Sequence, residues 1–172
     1  GDGYISVYDL DILVPVDEPL IETAYEGFVD DATTGTMTGA DDARPVAAAI
    51  GENVASLVED GSTIEIGIGR IPHAVAMYLM DKKDLGIHTE VVTPAVMRLV
   101  EAGVVTGAQK SRDRGKIVTS FAIGDREFYD YIDNNPIFSF NPTEYVNDPF
   151  IIGSQNKMAA INTALEVDLT GQ

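Results

Sequence analysis

A chain of 172 residues, 45% of them apolar, is long enough for one domain with a sizeable core and too short for two complete ones. Its 28 acidic against 11 basic side chains give a formal charge of −17, which repels nucleic acid and anionic membrane surfaces, so neither is expected as a partner. With no Cys there can be no disulfide, thiolate metal site or cysteine nucleophile. No apolar run approaches the ~20 residues of a membrane span, and the opening residues lack the basic leader of a signal peptide. A cytoplasmic location is the expectation.

Residues 4 to 16, "YISVYDLDILVPV", alternate and are β-branched, which predicts one or two strands. The following stretch to Arg44, rich in Gly, Thr and Asp, reads as a connection. From "PVAAAIGENVASLV" onward, helical and strand-like patterns alternate. The strands expected are "TIEIGIG", "GIHTEVV", "GKIVTSFAI", "PIFSFNP" and "KMAAINTALEVDL"; the helices are "PHAVAMYLMDK", "PAVMRLVEAG", "DREFYDYIDN" and a turn or two in "DPFIIGSQ". Such alternation with short connections is the pattern of an α/β domain, a mainly parallel sheet flanked by helices, with functional loops at the carboxyl ends of the strands. The expected division is residues 1–43 as the end of a preceding domain plus linker and 44–172 as the α/β domain.

Three places could carry chemistry. In "GIGRIPHAV", Gly67 and Gly69 let the backbone turn sharply at a helix start, where N–H groups favour negative charge. The stretch is not the dinucleotide fingerprint G-x-G-x-x-G, and packing explains its glycines equally well. In "GIHTE", strand alternation puts His88 and Glu90 on one face, with Glu90 at the strand's carboxyl end; from spacing alone an exposed strand-end Glu is the plainer reading. In "PTEYVNDP", Asn147 either caps a helix or aims its amide at a substrate carbonyl. His73 and His88 lack metal-site spacing, so no metal is expected. No G-x-S-x-G occurs to support a serine hydrolase.

Together the segments "LVEDGSTIEIGIGRIPHAVAMYL", "GIHTE", "KIVTSFAIGDREFYDYIDNNPIFSFNPTEYVNDP" and "IIGSQNKMAAINTALEVDLTGQ" resemble the acetyl-CoA hydrolase/transferase family. Within it they are most similar to the 4-hydroxybutyrate and butyrate:acetate CoA-transferases. The resemblance spans roughly residues 44 to 172 and implies the CoA-transferase (NagB/RpiA-like) fold. It also implies transfer of CoA between a short acyl-CoA and a carboxylic acid through an acyl-glutamyl anhydride and a glutamyl-CoA thioester. The implied catalytic residues are Glu90 as nucleophile and Asn147 as oxyanion donor; Gly67, Gly69, Arg70 and His88 are the implied substrate and CoA contacts.

Coenzyme A enters as substrate and no tightly bound cofactor is implied; full-length relatives are often dimers, so a homodimer is expected. Arg70 stands where the family commonly has Gly, and Thr93-Pro94-Ala95 replaces its usual Ser-Asp-Gly, so substrate choice does not carry over. A second glycine-rich segment of the family falls beyond Gln172, leaving this stretch as the half that holds the nucleophile. The competing expectations are an acyl-CoA hydrolase using the same Glu, and a catalytically inert interaction domain of the same fold. A sugar-phosphate isomerase lacks the basic phosphate cluster it would need.

Overall fold

The computed structural model describes residues 6–23 and 43–171. The expected linker falls for the most part in residues 24–42, outside the described residues, as do residues 4 and 5 of the first expected strand. The rest of that strand does not form. Val7–Asp9 is a short 3-10 turn, capped by the Ser6 side chain, and the chain then runs to Thr23 with no regular secondary structure. An alternating pattern makes a strand only where another backbone offers hydrogen bonds. Here the contacts are Thr23 N–H to the Gly124 carbonyl at 3.0 Å and the Tyr129 hydroxyl to the Ile21 carbonyl at 2.9 Å.

The α/β expectation is met. Five strands, β1 (Thr63–Ile66), β2 (Gly86–His88), β4 (Ile117–Thr119), β6 (Phe138–Phe140) and β7 (Met158–Ile161), form an all-parallel sheet in the order β6-β4-β2-β1-β7. Two short segments, β3 (Val91–Val92) and β5 (Phe121–Ala122), pair parallel to each other just beyond β2 and β4. The helices are α1 (Ala43–Leu57), α2 (Arg70–Tyr78), α3 (Pro94–Glu101), α4 (Arg126–Ile132), α5 (Thr143–Val146) and α6 (Pro149–Gly153).

One sheet face, made by Ile64, Ile66, Ile87, Ile117 and Phe138, packs with Val75, Leu79, Val96, Leu99 and Phe128 of the helices into a single core. Ile64, Leu79, Ile87, Leu99 and Phe128 are wholly buried, each stabilising the fold by roughly 1.5–3 kcal/mol relative to exposure. Because period-2 alternation sends the intervening residues to the other face, that second face collects Glu65, His88, Val118 and Ser139.

Two single strands of the sequence reading are each broken in two. Between β2 and β3 the chain passes Thr89 and Glu90; between β4 and β5 it passes Ser120. The Glu90 carbonyl accepts from Ser120 N–H (2.9 Å), Phe121 N–H (3.2 Å) and the Thr119 hydroxyl (3.0 Å). One acceptor serving two successive amides offsets the ladder by a residue, as in a bulge, and bulges re-aim side chains. The segment after β7 likewise leaves the sheet: strand pairing stops at Ile161, and Leu165, Val167 and Leu169 are exposed.

Beneath β2 lies a buried cation. Lys110, 1% exposed, reaches under Gly86 and donates to the Ile87 carbonyl (2.8 Å) and the Lys116 carbonyl (2.9 Å). Burial pulls its ammonium down to about 8, partly opposed by Asp113. A Cβ at Gly86 would sit 2.4 Å from Lys110 Cγ and 2.9 Å from Cδ. Those carbons are mid-stem, and the tip is fixed at two carbonyls, so the lysine cannot swing aside. Gly86→Ala is therefore expected to destabilise the protein by about 1–3 kcal/mol through overpacking; a denaturant melt with an unchanged midpoint would contradict this.

Candidate active site

All strands are parallel, so their carboxyl ends share one edge. Chain order adds β2, β4 and β6 to one side of β1, whereas β7 returns to the other side. Such a reversal opens a crevice at the carboxyl edge, where open α/β sheets take ligands. Gly67 follows β1, Glu90 follows β2 and Asn162 follows β7 at this place.

Thr89 registers the two central strand ends. Its hydroxyl donates to the Ile66 carbonyl at 3.0 Å, and the Ile66 N–H donates to the Thr89 hydroxyl oxygen at 3.3 Å. With Thr89 buried and tied inward, the next side chain, Glu90, faces out and is exposed. The broken ladder holds its backbone through the three bonds described above.

The carboxylate receives one side-chain hydrogen bond among the described residues, from Asn147 Nδ2 to Glu90 Oε2 at 2.8 Å. The two residues are 57 positions apart. Asn147 is not the N-terminal cap of the helix that follows it. Asp148 takes that task for α6, its carboxylate accepting from Phe150 N–H (2.7 Å) and Ile151 N–H (3.0 Å). Asn147 instead closes α5, and its amide is free to turn toward Glu90.

The Gly67–Gly69 turn follows β1 and lines a shallow opening with Ile66, Pro72, His73, Thr93 and Ala95. Gly69 has φ 113°, a conformation that disfavours side chains, and nothing lies within 4 Å of where its Cβ would be. It faces open space at the first turn of α2, with Arg70 as the first helical residue. Gly67 is different: a Cβ there would meet Asn162 Oδ1 at 2.4 Å. Its bareness accommodates a neighbouring side chain, which is the packing explanation of that glycine.

His88 is not at the surface. Its ring is 1% exposed, Nε2 contacts the Val146 carbonyl at 2.8 Å and Nδ1 lies 3.5 Å from Gln155 Nε2. The direct substrate contact expected for it does not fit this geometry. With the Val146 carbonyl as acceptor, Nε2 carries a proton. Burial lowers its basicity, the Val146 bond opposes this, Lys110 lowers it further and Asp113 raises it.

A group whose folded pKa lies below its unfolded value stabilises the fold fully above the unfolded value and loses that contribution as pH falls through the folded one. For His88 the loss begins near its ordinary 6.5 and continues downward. The melting-temperature advantage of wild type over His88→Gln is therefore expected to shrink between pH 7.5 and 5.5. A pH-independent difference would refute this.

Sequence reasoning passed over Glu65. This half-buried carboxylate accepts from Asn162 Nδ2 at 2.7 Å. Burial raises its pKa, the Asn162 and Ile161 bonds oppose the rise, and repulsion from Glu90 adds to it. The signal was present: a single charge inside the apolar strand "TIEIGIG".

A crevice at the carboxyl edge of a parallel sheet, with the Glu90–Asn147 pair beside the central strand, defines the class, an α/β chain whose strand ends form a ligand-taking edge. Residues 124–172 match the family model for the acetyl-CoA hydrolase/transferase C-terminal domain, and the resemblance of the chain to that family is thereby borne out. The whole chain is 41% identical over 172 residues to a 4-hydroxybutyrate coenzyme A transferase of Clostridium kluyveri, of which it spans 37%. It is 37% identical over 172 residues to a succinyl-CoA:cyclohexane-1-carboxylate CoA transferase of Geobacter metallireducens, spanning 36% of it. A solved 4-hydroxybutyrate CoA-transferase from Porphyromonas gingivalis superposes with a TM-score of 0.76 at 41% identity, over 90% of this chain and 35% of that one. The chain thus spans just over a third of these relatives. Among the described residues no helix is long and apolar enough to cross a membrane.

Proposed function

We propose that this chain supplies the nucleophile of a CoA-transferase, with Glu90 attacking an acyl-CoA thioester. The observation that carries the reading is the 2.8 Å bond joining Asn147 to an exposed Glu90 carboxylate at the carboxyl edge of the sheet, which has no other side-chain hydrogen bond among the described residues.

The Glu90 oxygen adds to the thioester carbonyl carbon, the C–S bond breaks, and CoA leaves as thiolate. The acyl-glutamyl anhydride that remains is attacked by the thiolate at the glutamyl carbonyl, which expels the first acid as carboxylate and forms a glutamyl-CoA thioester. An acceptor carboxylate then displaces the thiolate to give a second anhydride. Attack of the thiolate on its acceptor carbonyl releases the new acyl-CoA and restores Glu90. An ionised carboxylate needs no general base for this; it needs placement and an oxyanion donor. Asn147 is the donor, and the open turn at Gly69 and Arg70 borders the space for substrate.

The acyl-CoA hydrolase alternative uses the same Glu90, with water in place of the acceptor acid. Incubating the full-length protein with a short acyl-CoA, with and without acetate, separates the readings. Acetate-dependent formation of acetyl-CoA supports transfer. CoA release that ignores acetate supports hydrolysis, and no turnover with any short acyl-CoA leaves an inert domain.

A further inference from the structure

We infer that His88 is the positioning residue for Asn147: by holding the Val146 carbonyl, its Nε2–H sets how far the Asn147 amide stands from the Glu90 carboxylate. This rests on the proposed roles of Glu90 and Asn147.

Glu90 and Asn147 are both exposed, so packing fixes neither side chain. Their separation is then set by the backbones that carry them. On one side the backbone of Glu90 is held by β4 and β5 through its carbonyl. On the other, α5 is only four residues long, with Thr143 and Glu144 exposed. A helix of one turn has little cooperativity of its own and takes its place from tertiary anchors. Val146, 1% exposed, is its buried side chain, and the Tyr145 hydroxyl donates to Asp113 Oδ2 at 2.8 Å.

Among the described residues, two hydrogen bonds join the β2-to-β3 segment to α5 and Asn147. One is Asn147 to Glu90; the other is His88 to the Val146 carbonyl at 2.8 Å. His88 precedes Glu90 by two residues and Val146 precedes Asn147 by one. The two bonds therefore form adjacent rungs between the same pair of segments, and the inner one is sealed from water. The Val146 carbonyl is also one of the orphan acceptors at a helix end, which require a partner.

The inner rung is itself braced. Gln155 donates toward Nδ1, which keeps the proton on Nε2, while the Gln155 carbonyl oxygen accepts from Arg112 N–H at 3.3 Å and so fixes the amide's orientation. The Tyr145 ring stands with its centroid 6.3 Å from that of His88. A ring with both nitrogens engaged and no exposure cannot touch substrate, so any effect on turnover passes through Asn147.

The test uses the full-length enzyme with four variants: His88→Leu, His88→Gln, Asn147→Ala and the His88→Leu/Asn147→Ala pair. Leu removes the donor at similar volume; Gln can still present an N–H to Val146. His88→Leu is expected to lower kcat by roughly 10- to 100-fold, a misplacement effect, with the acyl-CoA KM within about twofold of wild type. His88→Gln should recover most of the loss, and in the Asn147→Ala background the Leu change should cost less than about twofold.

Additive losses, a rise in KM alone, or a Gln variant as slow as Leu would each overturn the inference. If the Leu variant does not fold, His88→Asn, too short to reach Val146, takes its place in the set. Should wild type prove inactive, the functional reading fails separately, and crystal structures of wild type and variant decide the positioning claim. Displacement of the Asn147 amide from Glu90 by about 1 Å or more supports it; an intact 2.8 Å contact overturns it.

Discussion

Glu90→Gln in the full-length protein is expected to reduce CoA transfer by at least about 10⁴-fold, some 5 kcal/mol of barrier at 1.36 kcal/mol per decade. Gln has the same shape and can still accept from Asn147 through its carbonyl oxygen. Its neutral amide is a far weaker nucleophile toward a thioester and cannot form the anhydride. The fold should be indifferent: the Glu90 side chain is exposed, and the strand break it occupies is held by its backbone carbonyl. A melting midpoint within about 0.5 kcal/mol of wild type is the control.

Glu90→Asp adds a graded point. It keeps the charge but withdraws it by about one C–C bond, a displacement that can cost on the order of 10² in rate. Steady-state assay of acyl-CoA consumption with a carboxylic acid acceptor reads both variants. Turnover within tenfold of wild type for Gln would remove Glu90 from the chemistry.

Local patterns carried the reading of the sheet because the causes are local. Apolar period, Pro94 and Pro149 at helix starts, and the Asp125 cap, whose carboxylate accepts from Phe128 N–H at 2.9 Å, are all written within a few residues. The failures share the opposite property. "YISVYDLDILVPV" has the alternation of a strand, yet a strand exists only by pairing, and Val7, Ile12, Leu13 and Val16 are exposed instead. The kink at Glu90 comes from Thr119, Ser120 and Phe121, about thirty positions along the chain, and no window around "GIHTE" contains it.

The candidate site divides the same way. Resemblance pointed to Glu90 and Asn147, and the geometry brings them into contact. What spacing could not supply was the reason Asn147 is available. Asp148 satisfies the α6 amides, so the Asn side chain is released from capping. Nor could it distinguish His88 from Glu90, which share a strand face. Val146 and Gln155, from distant segments, cover the first and leave the second open. Gly67 and Gly69 look alike in sequence, and Asn162 fills the space over one while the other stays bare.

Asn147→Ala is expected to lower kcat by about 10² to 10³, or 2.7–4 kcal/mol, the range for loss of one oxyanion donor. The prediction has a definite sign because two effects oppose each other. In the resting protein Asn147 already donates to Glu90 Oε2 at 2.8 Å; a bond that stabilised only this ground state would slow the nucleophile, and deleting it would raise kcat. The donor helps only if it binds more strongly as negative charge builds. In the proposed mechanism that condition is met when thiolate attacks the glutamyl carbonyl, because an oxygen of Glu90 itself becomes the oxyanion. Asn147 then faces a full alkoxide charge where it previously faced half of a delocalised carboxylate. The loss should consequently fall on the steps that form and break the glutamyl-CoA thioester, with the acyl-CoA KM nearly unchanged. Rapid-quench measurement of the thioester intermediate, alongside steady-state kcat, checks both halves: a variant that forms glutamyl-CoA at the wild-type rate, or one that turns over faster, would mean the amide serves only to tether the resting carboxylate.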